Sequence, residues 1–271
     1  MNAVTALSFS PAGTTAKVAE TIAETLAEQL GRSVERRAFT KPAERERECC
    51  FTESAVVVIA SPTYAGKLPN KILPDFREKL RGNGAVAIPV VTFGNRAYDN
   101  SLAELCAVLT ENGFRLAAAG AFVCRHAFTD ELAYGRPGWS DSFEMKSFAK
   151  KAADKIKRTE GEFPPLAIPG DANAPYYVPK GLDGQPAMFL KAKPKTHLNR
   201  CNGCGACVRA CPMGAIDPKN PALVPGLCIK CQSCVRKCTK RAKYFDDPAF
   251  LSHIAMLERD YAEPKENEVF L

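Results

Sequence analysis

Eight cysteines between residues 201 and 238 are spaced for metal chemistry rather than for disulfides. Cys201, Cys204, Cys207 and Cys211 stand at intervals of three, three and four, followed by Pro212, and Cys228, Cys231, Cys234 and Cys238 repeat the beat. A Cys-x2-Cys-x2-Cys-x3-Cys-Pro run wraps three thiolates around three corners of an iron-sulfur cubane and sends the fourth across to a second cluster. Cys201, Cys204 and Cys207 are therefore expected to hold one cluster with Cys238, and Cys228, Cys231 and Cys234 a second with Cys211. Gly203 and Gly205 let the backbone coil tightly, so that N–H groups can face the sulfides. Structural zinc is the competing reading, because zinc also accepts four thiolates. Zinc knuckles use paired cysteines, however, and would leave the middle cysteine of each run idle. The segment is too short to fold on an apolar core, so the clusters are expected to serve as its core.

A second chemical stretch is "SPAGTT" at residues 10–15, between an apolar run and an amphipathic one. A tight loop at a helix N-terminus offers unpaired N–H groups and a favourable dipole to a phosphate. Ser10, Thr14 and Thr15 add hydroxyls. "SPTYAGKLPNK" and "TFGNRAYDN" follow two further strands, so three loops are expected at the carboxyl ends of strands one, three and four, where open α/β sheets bind ligands. Tyr64 or Tyr98 could stack on a flat ring there, and Gly66 and Gly94 would let backbone amides approach it.

These sites need a scaffold. Short apolar runs alternate with amphipathic stretches over residues 1–158, which predicts an α/β doubly wound parallel sheet of five strands with helices on both faces. "AVTALSF" reads as the first strand and "TTAKVAETIAETLAEQL" as a helix burying Val18, Ile22, Leu26 and Leu30. "SVERRAF" reads as an edge strand. "AVVVIA" and "AVAIPVVTF" read as central strands covered on both faces. "RLAAAGAFV" is a fifth strand. The intervening helices are "NKILPDFREKLR" and "DNSLAELCAVLTENG", the latter stopped at Gly113. A closing helix, "WSDSFEMKSFAKKAADKIKR", is expected to be capped by Ser140 or Asp141.

Residues 159–197 are proline-rich and predict a linker, with a small hairpin about Asp183-Gly184. Residues 198–245 form the cysteine module. Residues 246–271 predict a helix starting at Asp247-Pro248 and ending before Pro264, then an acidic tail.

At 271 residues with 46% hydrophobic content, the chain suits two domains. No basic region precedes an apolar run at the N-terminus and no apolar stretch approaches membrane-spanning length, so a cytoplasmic protein is expected. Net charge is +7, and between Lys191 and Lys243 twelve Lys and Arg face one acidic residue, Asp217. That excess reads as neutralisation of cluster charge or as docking to an acidic redox partner. Nucleic acid binding is disfavoured, since no aromatic platform is interleaved with the basic residues.

The region 198–245 resembles the two-cluster bacterial ferredoxins, whose clusters are both of the 4Fe-4S type. Thr239 stands where that family repeats the proline seen at Pro212, and the module is basic where such ferredoxins are commonly acidic. The N-terminal loops resemble flavodoxin, and the whole chain resembles the flavodoxin-ferredoxin fusion proteins of anaerobic microbes, in which a similar phosphate loop precedes "SPTY" and "GNRxYDN" loops. The resemblance implies FMN, with its phosphate on Ser10, Ala12, Gly13, Thr14 and Thr15. Its ring would lie among Pro62, Thr63, Tyr64 and Gly66 on one side and Thr92, Phe93, Gly94, Asn95, Arg96, Tyr98 and Asp99 on the other. In flavodoxins the loop usually carries one more hydroxyl, where Ala12 stands here, and Pro11 lacks an N–H. Tyr134 and Arg136 belong to a further loop expected near the flavin.

Cys49, Cys50, Cys106 and Cys124 read as idle or core thiols, and His126, His197 and His253 match no metal spacing. FMN beside two 4Fe-4S clusters implies an electron-transfer protein that relays single electrons to or from a redox partner. The alternative is a flavin-dependent oxidoreductase that reduces a small substrate at FMN. No Gly-x-Gly-x-x-Gly fingerprint supports direct use of a nicotinamide.

Overall fold

A computed structural model of the protein describes residues 3–271. Six strands lie side by side across the main sheet, β1 (Val4–Ser8), β2 (Val34–Ala38), β3 (Val56–Pro62), β4 (Val86–Phe93), β5 (Ala119–Val123) and β6 (Glu268–Phe270), and a two-residue seventh, Arg115–Leu116, pairs with β4 off that path. The first five run parallel in the order 2-1-3-4-5, which is the flavodoxin-like doubly wound order. The helices of this domain are α1 (Thr14–Leu30), α2 (Leu73–Lys79), α3 (Ser101–Glu111) and α4 (Trp139–Arg158).

Strand alternation explains the two cores. Val56, Val58 and Ala60 face a cluster with Val18, Ile22 and Leu26 of α1 and Phe148 of α4. Val57 and Ile59 face the other, with Phe76 of α2 and Leu105 of α3. Leu30 is only partly buried at the margin. β2 is the half-exposed edge that its mixed composition predicts. α1 ends at Gly31, whose φ of 63° lets its N–H turn back to the carbonyls of Ala27 and Glu28.

The structure corrects four expectations. The run "RLAAAGAFV" splits: β4 pairs Val86 and Ala87 with Arg115 and Leu116, then Val90–Phe93 with Gly120–Val123. The break lies opposite Pro89, which has no N–H to give. α4 starts at Trp139 with Gly138 as its N-cap, and Asp141 accepts from the Gly138 N–H at 2.7 Å from inside the first turn. The hairpin reduces to one bridge, Lys180 with Pro186, around a turn at Gly184 with φ 76°. The sheet also gains a sixth strand: β6 pairs antiparallel with β5, Glu268 opposite Ala121. A three-residue strand in a polar tail carries too little periodicity to announce itself.

In the cysteine module, α5 (Ala206–Ala210) and α6 (Ser233–Arg236) each carry the third cysteine of a run and end before the fourth. A two-residue antiparallel ladder, Lys195-Thr196 with Lys243-Tyr244, closes the module, so residues expected in the linker belong to it. Its own core is small, with Cys207, Ile216 and Cys234 buried. α7 (Pro248–Asp260) is capped by Asp247, which accepts from the Phe250 N–H at 2.9 Å. Among the described residues no helix is long and apolar enough to cross a membrane.

Candidate functional site

The two cysteine runs are one backbone written twice. Each cysteine recurs 27 positions on, 201 to 228, 204 to 231, 207 to 234 and 211 to 238. The left-handed residues recur with them: Gly203 (φ 70°) and Lys230 (55°), Gly205 (70°) and Gln232 (61°), Gly214 (58°) and Arg241 (49°). The first run uses glycine throughout. The second places Lys, Gln and Arg in a region that costs such residues about 1 kcal/mol each, so the wrap outweighs local preference. Sulfur contacts repeat too, with Ala215 N–H donating to Cys211 Sγ at 3.3 Å and Ala242 N–H to Cys238 Sγ at 3.2 Å.

Cys211 crosses to the opposite run. It lines a single cavity with Cys228, Cys231 and Cys234, walled by apolar groups such as Ile216, Val224 and Phe245. Burial pushes the Cys234 thiol up to about 12, with Cys228 and Cys211 adding to the rise. Burial likewise raises Cys231, with Cys234, Cys211 and Cys228 as its charged neighbours. Cys228, Cys231 and Cys234, their thiols raised by burial in this apolar pocket, form with Cys211 a donor set that wants a cationic centre to ionise it. Among the described residues no three His, Cys, Asp or Glu side chains close on a point suited to a single metal ion.

The other set is more open. Cys207 is buried, Cys201 and Cys238 are partly exposed and Cys204 is exposed. Burial works against the Cys238 thiolate, yet the N–H groups of Ala242, Lys243 and Lys240 outweigh it and lower its pKa. The donor chemistry of both sets fits iron-sulfur ligation, and backbone N–H groups directed at sulfur favour reduction of a bound cluster.

Three loops lie at the carboxyl ends of β1, β3 and β4. In the first, Gly13 adopts φ 94° and Ser10 Oγ accepts from Ala16 N–H at 2.9 Å, tying the loop to the helix it precedes. Thr15 is buried with its hydroxyl 2.7 Å from that of Thr92, and Thr14 reaches Cys124 behind the loop. Among the described residues the N–H groups of Thr14 and Thr15 have no partner in the chain. They are donors of the kind a phosphate takes. Pro11 is buried and Ala12 half-buried beside them.

The second and third loops hold each other. Thr63 Oγ1 lies 2.6 Å from Ser101 Oγ, and Thr63 N–H donates to Thr92 carbonyl at 2.7 Å. A side chain at Gly66 would meet Asp99 Oδ2 at 2.3 Å, and one at Gly94 would meet the His126 ring at 2.3 Å. Both glycines therefore serve close loop packing. Arg96 pairs with Asp99 and stacks over Tyr177 at 4.1 Å. Asn95 is buried and donates to the carbonyls of Tyr261 and Glu263 at 2.7 and 3.0 Å. Tyr98 is buried against Phe93, ring centroids 5.4 Å apart, with its hydroxyl on Glu268.

Pro62 ends β3, and Tyr64 follows it on the side of the cysteine module. Burial holds the Tyr64 phenol well above its ordinary value, and the neighbouring Cys231 and Cys228 add to the rise. Met213 and Ile229 pack against the core of the α/β domain. Arg45, itself buried, reaches from the end of a short 3-10 turn to Asp75 at 2.6 Å and to the Pro212 carbonyl at 3.0 Å. Tyr134 projects to solvent, whereas Arg136 is tied to Asp141. Lys17 Nζ donates to the Pro137 carbonyl at 3.2 Å and so brings that loop beside the first.

A cleft of about 630 Å³ opens beside the first loop. Ser10, Pro11 and Gly13 line it with Arg36 and Arg37 of β2 and Thr40 and Lys41 after it, and Arg209 and Lys237 line it from the cysteine module. Sequence reasoning missed these cations. In a 2-1-3-4-5 sheet the end of β2 adjoins the first loop, so "RRAFTK" was readable as part of the site. Arg209 and Lys237 carried no such signal, since their place depends on how two domains dock.

Residues 194–217 match a family described as a 4Fe-4S binding domain, and residues 225–241 match a second family of that description. No curated protein sequence matches the chain. Among solved structures, a flavodoxin from the domain Archaea is 15% identical, with 58% of this chain covering all of that one at a TM-score of 0.38. A Streptococcus pneumonia TIGR4 flavodoxin is 20% identical, with coverages of 57% and 99% and a TM-score of 0.40. An NADH:FMN oxidoreductase in its apo form is 21% identical, with coverages of 59% and 92% and a TM-score of 0.39. The strand order of the first domain is thus flavodoxin-like, and the segments matched in the second make it a 4Fe-4S binding module of ferredoxin type.

Proposed function

We propose that the protein is an electron-transfer protein that relays single electrons between FMN and two 4Fe-4S clusters, to or from a redox partner. The observation that carries this reading is Tyr64, which belongs to the loop after β3 and neighbours Cys228 and Cys231. A flavin-loop residue and two cluster cysteines share one wall. When bound, flavin accepts two electrons and releases them singly, and each cluster carries one.

The chain's own residues supply the sites. Cys201, Cys204, Cys207 and Cys238 would ligate one cluster, and Cys228, Cys231, Cys234 and Cys211 the other. Ser10, Ala12, Gly13, Thr14 and Thr15 would hold the FMN phosphate. Pro62, Thr63, Tyr64 and Gly66, with Thr92, Phe93, Gly94, Asn95, Arg96, Tyr98 and Asp99, form the two loops at the ring. Of these, Tyr64 is placed to stack, while Asn95, Tyr98 and Asp99 hold the loops in shape. An acidic partner surface would suit the basic module.

The test is an anaerobic preparation assayed for iron, sulfide and released FMN, then titrated with reductant while absorbance is followed. The reading expects about eight irons and one FMN per chain, with electrons redistributing between both absorbing groups. Zinc in the thiolate sites, absence of FMN, or two groups that never exchange electrons would overturn it.

A further inference from the structure

The cleft beside the first loop is lined by five cations, and their pairing is uneven. Arg36 is matched by Glu20 and Glu24, Arg37 by Glu35 at 2.7 Å, and Lys41 by Glu44 at 3.9 Å. Arg209 donates only to a carbonyl, that of Cys204 at 3.0 Å. Among the described residues neither Arg209 nor Lys237 has a carboxylate partner. The unneutralised positive charge of the cleft therefore comes entirely from the cysteine module.

The loop across from these cations is short of donors. Pro11 has no N–H, Ala12 has no hydroxyl, Ser10 Oγ already accepts from Ala16, and the Ser10 N–H is spent on Thr40 Oγ1 at 2.7 Å. What is left for a dianion is the N–H groups of Ala12, Thr14 and Thr15, the Ser10 hydroxyl proton and the helix dipole. None of these is a cation, so a side chain that offsets the full charge of a phosphate monoester must come from outside the loop.

We propose that Arg209 and Lys237 complete the flavin phosphate site from the cysteine module, so that the ferredoxin-type half of the chain selects FMN over the phosphate-free flavin. The inference rests on FMN being the flavin bound. Arg209 stands two residues before Cys211 and Lys237 directly before Cys238, so the thiolate wraps set where both cations stand. Retention of FMN is thereby coupled to the integrity of the module, and the coupling is reciprocal.

The test measures binding of FMN and of riboflavin by flavin fluorescence quenching in the full-length, iron-loaded chain. Wild type is expected to prefer FMN. R209A/K237A is expected to weaken FMN by roughly tenfold or more, with riboflavin affinity held within about twofold and iron content unchanged. R209K/K237R is expected to retain most of the FMN preference, and added salt to erode it in wild type and in R209K/K237R but not in R209A/K237A. If the double variant loses iron, R209A and K237A singly provide the same ratio. An unchanged FMN-to-riboflavin ratio in an iron-replete variant overturns the inference, as does an equal loss of both ligands. A wild-type chain that takes up neither flavin overturns the FMN reading itself.

Discussion

The guanidinium of Arg236 meets the Asp130 carboxylate at 2.6 Å and also donates to the carbonyls of His126, Ala127 and Thr129. Arg236 lies between two cluster cysteines in sequence, and residues 126–130 follow β5, so one side chain joins the two domains. Removing it leaves three carbonyls without that donor and Asp130 with Arg125 alone, at 3.3 Å. R236A is expected to cost about 2–4 kcal/mol. Hydrogen exchange should rise at 126–130 and at 233–238 together; protection that stays intact in both segments would contradict this account of the interface.

The crossed ligand pattern makes a paired forecast. C211S should disable the set containing Cys228, Cys231 and Cys234, and C238S the set containing Cys201, Cys204 and Cys207. Each variant should retain roughly half the iron of wild type. Because the first set is open and the second enclosed, the iron left in C211S should be removed faster by a chelator than that left in C238S. Complete loss of iron from both would mean that the sets do not form independently.

His126 offers a pH test. It is half-buried beside Gly94, accepts from the Phe128 N–H at 3.1 Å, and has its pKa lowered to about 3 by desolvation first and then by His253, Arg236 and Arg96. In the unfolded chain it would titrate near 6.5. The folded state therefore binds fewer protons between those values. Stability is unaffected above about pH 6.5 and falls by about 1.4 kcal/mol per pH unit below it, levelling off near pH 3. Burial also lowers His253, which adds in the same direction. Denaturant midpoints between pH 7 and 5 should fall more steeply for wild type than for H126Q, and parallel curves would refute the assignment.

The Asn95 amide clasps the start of the C-terminal tail, and Asn267 further on bonds Val123, Asp141 and Glu144. Asn95 donates to the Tyr261 and Glu263 carbonyls and accepts from the Lys265 N–H at 3.1 Å. N95A should destabilise by about 2–3 kcal/mol and free residues 261–271 to limited proteolysis. The loss should include β6, because Glu268 also bonds Tyr98. Protease resistance equal to wild type would show that the strand pairing and the Asn267 and Glu268 bonds retain the tail without Asn95.

Much of the scaffold was legible because its signals are local. Val56, Val57, Val58 and Ile59 are continuous apolar residues, and a strand covered on both faces needs that run. Asp247 before Pro248 announced α7 by capping chemistry. Tyr98 and Tyr64 could not be told apart, since each follows a strand and precedes a glycine or charged loop. Burial against Phe93 separates them, and Phe93 comes into contact only when β4 is seated in the sheet. Gly66 and Gly94 were readable as positions of close approach, but the approaching groups, Asp99 and His126, lie 33 and 32 residues away in sequence.

By itself the amino-acid order determined the doubly wound sheet and the doubled thiolate beat, since periodicity, capping and ligand spacing act over a few residues. The cysteine spacing also foretold that Cys211 joins Cys228, Cys231 and Cys234, whereas tertiary structure alone decided that Tyr64 meets Cys228 and Cys231 and that Arg209 and Lys237 border the first loop. Those placements come from apolar burial and salt-bridged docking between distant segments, whose free energy depends on shape that no short window of sequence contains.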